Sequence, residues 1–206
     1  MKSSGDIFSQ LSKLRMTVKE SSIDMNRGSE EQESFVNAVV EYFDKVLGTT
    51  AGTLSFSDKE FLKMVSRNER VIGICTAQGI QLSKAVPFSV AWHEAFHKIF
   101  ELAIPAEKRD SLYAAYKNRW WRRMITKPSD RDVAEAFADM FVDYMTNKEA
   151  INKADSFFKK IKPWIKTFAF NIGMMISIGR HNAAKMYQLY ADMNAGKFKN
   201  TEITKE

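Results

Sequence analysis

A chain of 206 residues with 45% apolar content fits one domain of moderate size, or a core domain with appendages, and is long enough to bury a core. Its net charge of +6 is compatible with a nucleic-acid or anionic-membrane partner, but favours a soluble protein with a modest lysine excess. The single cysteine, Cys75, excludes an internal disulfide and a cysteine-based zinc site. The first residues contain no apolar run of the length that a secretory signal peptide needs. The most apolar stretch, 168–179, is far shorter than the roughly 20 residues that span a bilayer.

The first quarter of the chain carries helical and extended patterns. The polar segment 1–28 suggests a short amphipathic helix and then a loop. The letters SEEQ at 29–32 match a capping box, and the apolar residues behind them predict a helix that Gly48 closes. The β-branched residues at 49–57 favour a strand.

A short helix and two strands are predicted next. A second capping box, SDKE at 57–60, opens a helix that ends at about Arg67. RVIGICTA and GIQLS, within 70–83, predict two strands that meet at Gln78-Gly79. If GIQLS forms the rim of a cleft, it can pair with an extended peptide.

The remaining pattern is helical. A helix is predicted from Pro87 to about Ala103, where Pro105 stops it, and another follows in the segment AEKRDSLYAAYKNRWWRRM. SDRD at 129–132 caps a third helix, which runs to about Met145. The fold class is therefore α+β and mostly helical, with a small β-sheet before the Pro87 helix. Three segments are expected: an N-terminal helix and linker at 1–28, a core at 29–146, and a basic helical segment at 147–206.

Two of the three histidines stand four residues apart in HEAFH, with Glu94 between them. On an α-helix His93 and His97 share one face, so both imidazoles can reach one metal ion. Glu94 is turned by about 100° around the helix, where its carboxylate can act as general base on a water without ligating the metal. The alternative is a helix with two buried histidines that hydrogen bonds satisfy. The flanking apolar residues favour the metal site, because three ionisable groups in a buried helix are costly unless paired or liganded.

The third ligand is expected to be a carboxylate, and the best candidate lies in EAFAD at 135–139. Glu135 and Asp139 are again i and i+4 neighbours, so Glu135 can ligate zinc while Asp139 accepts the N–H of a ligand histidine. The alternative is a solvent-facing acidic stripe shared with Asp132 and Asp143. One Zn²⁺ per chain is the expected cofactor.

HEAFH followed by the ExxxD helix resembles the gluzincin metallopeptidases. More closely, the segment from GIQLS to KNR resembles the zincin-like metallopeptidase domains in polyvalent proteins of bacteriophages and conjugative elements. Those domains contain four elements in the same order: a strand, the HEAFH helix, a P-E-R-x-x-L-Y helix and an AExFxD helix. FFKKIKPWIKTF and LYADMNAGKFKN are similar to the segment that closes those domains, so the resemblance covers roughly 70–200. It implies a zinc peptidase fold encoded by a mobile genome, with Glu135 as ligand and Asp139 orienting a histidine.

Two further residues are candidates for stabilising the oxyanion of a peptidase reaction, His181 and Tyr144, and the sequence does not decide between them. For His181 an exposed histidine in a basic tail is the favoured alternative.

The basic and aromatic segments each have a functional and a structural interpretation. KNRWWRR at 117–123 can grip nucleic acid through charge and stacking, but a helix end whose tryptophans enter the core is favoured. SFFKKIKPWIKTFAF resembles a surface-binding amphipathic helix, but a helix that covers the domain is favoured.

The HEAFH and EAFAD motifs predict a zinc-dependent metallopeptidase that acts on a peptide or protein, and the resemblance implies a location in a virion or the bacterial host cytoplasm. The rival hypothesis is a catalytically silent virion structural or cargo protein that retains the zincin fold and contacts other virion proteins.

Overall fold

The computed structural model describes residues 15–19, 28–57, 62–64, 69–76, 78–119, 127–152, 166, 170–171, 173–175 and 178–201. Its strands are β1 (Arg15–Lys19), β2 (Thr53–Ser57), β3 (Leu62–Met64), β4 (Glu69–Cys75) and β5 (Gly79–Ser83). Its α-helices are α1 (Ser29–Val46), α2 (Ser89–Leu102), α3 (Ala106–Lys117), α4 (Asp130–Asn152) and α5 (Arg180–Asn194). The α+β class is confirmed.

The chain forms two compact units. The first comprises Met1–Ile104 with Ala195–Glu206, and the second comprises Pro105–Asn194. This grouping follows spatial contacts, whereas the segments 1–28, 29–146 and 147–206 follow composition and motifs, and that division stays a prediction.

The sheet of the first unit has the strand order β1-β4-β5-β2, with β3 also paired to β4. The two strands predicted to meet at Gln78-Gly79 are confirmed, and they form an antiparallel hairpin with Gly73 opposite Leu82 and Cys75 opposite Ile80. The turn between them is closed by the Thr76 N–H, which donates to the Gly79 carbonyl over 2.8 Å. The predicted strand within 49–57 is also confirmed, as β2, and it runs parallel to β5.

Three expectations about this sheet were wrong. β3 replaces part of the short helix predicted after the SDKE box, and β1 lies in the segment expected to hold a helix and a loop. GIQLS is not a rim strand, because β5 pairs with β4 on one side and β2 on the other. β1 and β5 each pair with a strand far along the chain, and local patterns do not report such pairing. β3 pairs instead with β4, the next strand along the chain, and this pairing satisfies its backbone. The amphipathic helix suggested near Ile7 and Leu14 lies outside the described residues.

α1 buries one apolar row, formed by Phe35, Val39, Phe43 and Val46. The SEEQ capping box is not formed, because the helix already begins at Ser29 and its N-cap residue is Gly28. Gly48 does follow the helix end, with a φ of +55° that favours glycine. The end of α1 is also held by Asn200, whose side-chain oxygen accepts from the Thr49 N–H over 2.8 Å.

α2 is the most buried helix among the described residues, as its apolar sequence predicts. It begins two residues after Pro87 and ends just before Ala103, so the predicted helix is confirmed. Pro105 follows and serves as the N-cap residue of α3.

The second unit contains α3, α4 and α5. The SDRD cap is confirmed: the Asp132 carboxylate accepts from the Ser129 N–H over 2.8 Å, and the Asp132 N–H donates to the Ser129 hydroxyl over 3.2 Å. α4 continues to Asn152, beyond the predicted end at Met145. α5 is held to α4 by the Tyr190 hydroxyl, which donates to the Phe137 carbonyl over 2.8 Å. Within the described part of the chain, no helix combines the length and apolarity needed to cross a membrane.

Candidate metal centre

His93 and His97 lie one turn apart on α2, and their side chains meet. The two Nε2 atoms are 3.0 Å apart, and the ring centroids are separated by 4.7 Å. Only 2% of His93 and 1% of His97 is exposed to solvent. The predicted convergence of the two imidazoles on one point is therefore present.

Glu135 joins the two histidines in one group of donors. One ligand atom from each of His93, His97 and Glu135 lies within 4.8 Å of the other two. Two imidazole nitrogens and one carboxylate oxygen are a donor set that Zn²⁺ accepts, with ligand bonds of roughly 2.0–2.2 Å. Two nitrogens on one tetrahedral zinc are about 3.3 Å apart by that bond length, close to the separation of the two Nε2 atoms. The group can hold a metal ion, and it consists of the three residues predicted as ligands.

Glu94 lies on a different row of α2, which faces the sheet. It is buried, and its carboxylate lies against β4 at Gly73. It does not belong to the metal-binding group found among the described residues. The general-base role expected of Glu94 stays a prediction.

Two buried groups near Glu94 were missed by the sequence analysis. Lys98 is fully buried one turn after Glu94, and its Nζ donates to the Thr76 carbonyl over 2.7 Å. Burial lowers the pKa of Lys98. Burial, and then the charge of Glu94, raise the pKa of the Cys75 thiol well above its usual range. The available signal was spacing, because Val90, Glu94 and Lys98 recur every four residues and must share a face.

The remaining predicted site residues lie within the second unit. Asp139 is exposed on α4, and its charge raises the pKa of Asp143 after the larger effect of burial. Tyr144 is buried in an aromatic cluster with Phe141, Tyr187 and Tyr190. Burial, and then the neighbouring Tyr187, raise the pKa of Tyr144.

His181 is exposed in the first turn of α5. The roles expected of Asp139, Tyr144 and His181 toward the metal site stay predictions.

The basic segments fall largely outside the described residues. Of KNRWWRR, the structure describes residues 117–119, and Arg119 donates to the Met175 carbonyl over 2.8 Å. Of SFFKKIKPWIKTFAF, it describes residues 166 and 170. The nucleic-acid and core interpretations of KNRWWRR stay predictions, and so do the surface-binding and domain-covering interpretations of SFFKKIKPWIKTFAF.

Comparison with known proteins adds no relative. No family model, curated protein or solved structure matches the chain. The zincin resemblance therefore rests on the order of motifs in the sequence, and the structure independently contributes a His-His-Glu group that can hold a metal ion.

Proposed function

We propose that this chain is a zinc-dependent metallopeptidase of gluzincin type. The observation that carries the proposal is the convergence of His93, His97 and Glu135, with Glu94 adjacent in sequence to the first ligand. Four residues from the separate motifs HEAFH and EAFAD then have complementary roles in one reaction.

His93, His97 and Glu135 would hold the zinc. Zinc, when bound, supplies a Lewis acid that acidifies water and polarises a carbonyl group. Glu94 accepts the proton of the attacking water and delivers it to the leaving amine. Burial of Glu94 supports this role, because a low-dielectric site excludes bulk water as a competing proton acceptor.

Asp139, Tyr144 and His181 complete the proposed site. Asp139 would accept the N–H of a ligand histidine. Tyr144 or His181 would donate a hydrogen bond to the oxyanion.

The strand that pairs with an extended peptide is proposed to be β2. β5 is paired on both sides, whereas β2 is the last strand in the sheet order among the described residues. An outer strand offers backbone donors and acceptors to a peptide. The proposed substrate is accordingly a peptide or an extended protein segment.

The proposed setting is a bacteriophage or another mobile element, with activity in the virion or the host cytoplasm. The support is the resemblance of the ordered motifs. The catalytically silent structural or cargo protein is the outcome that remains if zinc binds and no peptide is cleaved.

The test combines zinc content with one conservative variant. One zinc per chain is expected, and it is lost in His93→Ala. Glu94→Gln is expected to retain zinc and lose peptidase activity by about 10²–10⁴-fold, the usual contribution of a general base. Glu107→Gln, an exposed site on α3, is the matched control and should retain both. A folded protein without zinc, or equal activity in Glu94→Gln, contradicts the proposal.

A further inference from the structure

Gly73 lies directly opposite the carboxylate of Glu94. A methyl group added to Gly73 would be 2.6 Å from Glu94 Oε1 and 3.1 Å from Val90 Cγ1. Carbon and oxygen atoms that are not bonded do not approach this closely, so either the carboxylate or the strand would have to move. The Glu94 carboxylate thus occupies space that is open only because residue 73 has no side chain.

The backbone conformation does not explain the glycine. Gly73 is not among the glycines with positive φ, so its backbone is open to other residues. Glycine inside a strand is also unfavourable by itself, because it loses more conformational entropy on folding than other residues. The pairing of β1 with β4 shifts register between Met16, which is opposite Gly73, and Thr17, so Gly73 adjoins a strand irregularity. Close approach of another group is a second physical reason for a glycine here, and that group is Glu94.

The strand is held on both sides at this point. Gly73 is opposite Leu82 in β5 and Met16 in β1, so β4 is an interior strand here. On the helix side, Lys98 donates to the Thr76 carbonyl, which keeps α2 in register with the end of β4. With the strand held in the sheet and the helix tied to it, the flexible end of Glu94 is the part that yields to an added methyl group.

We propose that Gly73 is a positioning residue for Glu94. Because Gly73 has no side chain, the carboxylate can lie between β4 and α2, in the position from which Glu94 would act as general base. The catalytic part of this inference rests on the proposed peptidase function, whereas the placement of Glu94 by Gly73 does not.

The placement is tested in the zinc-free protein with Gly73→Ala. The side-chain carboxyl ¹³C resonance of Glu94, assigned by its loss in Glu94→Gln, is expected to shift in Gly73→Ala. Gly173→Ala is the matched control, since a methyl group there meets nothing within 4 Å, and it should leave the resonance unchanged. A folded Gly73→Ala protein with an unshifted Glu94 resonance overturns the proposal.

A double-mutant cycle measured by thermal unfolding tests the same contact, and it stays informative if Gly73→Ala alone does not fold. Gly73→Ala is expected to lower Tm by about 3 °C or more in the wild-type background, as overpacking does. In the Glu94→Ala background it should leave Tm unchanged or raise it, because the methyl group then fills vacated space. If Gly73→Ala alone does not fold, Glu94→Ala must restore folding. Equal effects in both backgrounds contradict the inference.

Kinetics separate this inference from the peptidase proposal. Gly73→Ala should keep its zinc and its KM while kcat falls about 100-fold, the loss expected for a misplaced catalytic group. Glu94→Asp, whose side chain is one methylene shorter, should cost less kcat in the Gly73→Ala background than in wild type. An unchanged kcat in an active enzyme overturns the positioning role. If the wild type has no peptidase activity, the resonance and the thermal cycle still decide the placement of Glu94.

Discussion

Lys98 offers the sharpest test of how α2 is anchored to the sheet. Its side chain is 0% exposed, and its Nζ donates to the Thr76 carbonyl over 2.7 Å. Two substitutions separate the contribution of its ammonium group to stability from that of its aliphatic chain. Lys98→Met keeps most of the buried aliphatic chain and removes the ammonium group, whereas Lys98→Ala removes both.

The expected sizes follow from these contacts. Removing the ammonium group loses a charged hydrogen bond of about 1.5–3 kcal/mol, but it also removes the cost of burying a charge. The two effects oppose each other, so we expect Lys98→Met to lie within about 1.5 kcal/mol of wild type. Relative to Lys98→Met, Lys98→Ala loses two further buried carbons and the sulfur. At about 0.8 kcal/mol for each methylene-sized group, it should be about 2.4 kcal/mol less stable than Lys98→Met.

Urea unfolding of the zinc-free protein measures both differences. Lys108 is exposed on α3, so Lys108→Ala should change the free energy of unfolding by no more than about 0.5 kcal/mol. Equal stability of Lys98→Met and Lys98→Ala would refute the reasoning, because it would mean that the aliphatic chain makes no packing contribution.

Three further predictions concern the cap of α4, the contact between α5 and α4, and the metal. Ser129→Ala should cost about 1 kcal/mol at pH 7. Hydrogen bonds from the Ser129 hydroxyl and N–H lower the pKa of Asp132 in the folded state. Their contribution to the free energy of unfolding is therefore present above about pH 4 and fades as the pH falls further. Urea unfolding at pH 7 and at pH 3 should show a smaller stability difference between Ser129→Ala and wild type at the lower pH. Tyr190→Phe should lower the free energy of unfolding by about 1 kcal/mol, because it removes the buried hydroxyl that donates to the Phe137 carbonyl of α4. Tyr187→Phe, at an exposed ring, should leave the free energy of unfolding unchanged in the same urea titration. Zinc at about 100 times its Kd should stabilise the metal-free protein by about 2.7 kcal/mol, read as a rise in Tm, and a rise of equal size in His93→Ala would contradict the assigned ligand.

Several local features of the fold were predictable. The hairpin at Gln78-Gly79 and the cap formed by Ser129 and Asp132 depend on neighbours in sequence, and both are present. The spacing of His93 and His97 places both rings on one helical face whatever surrounds the helix. For the same reason the donor pair could be proposed without knowledge of the fold.

Features that depend on distant segments were not predictable. β1 is a strand because β4, far along the chain, offers it hydrogen-bonding partners, and β5 lies inside the sheet because β2 covers its other side. β3 differs, because its partner β4 is the next strand along the chain. The role of Gly73 becomes visible only once a particular helix packs across that strand.

The sequence by itself determined which side chains share a face, because helical and extended periodicity require only local geometry. Thus the spacing alone places His93 and His97 on one helical face and Glu94 on another. The tertiary structure decided what each face meets: the two histidines converge within reach of Glu135, while the Glu94 and Lys98 row is buried against β4. Strand order and burial arise from contacts between residues far apart in the chain, and local spacing carries no information about those partners.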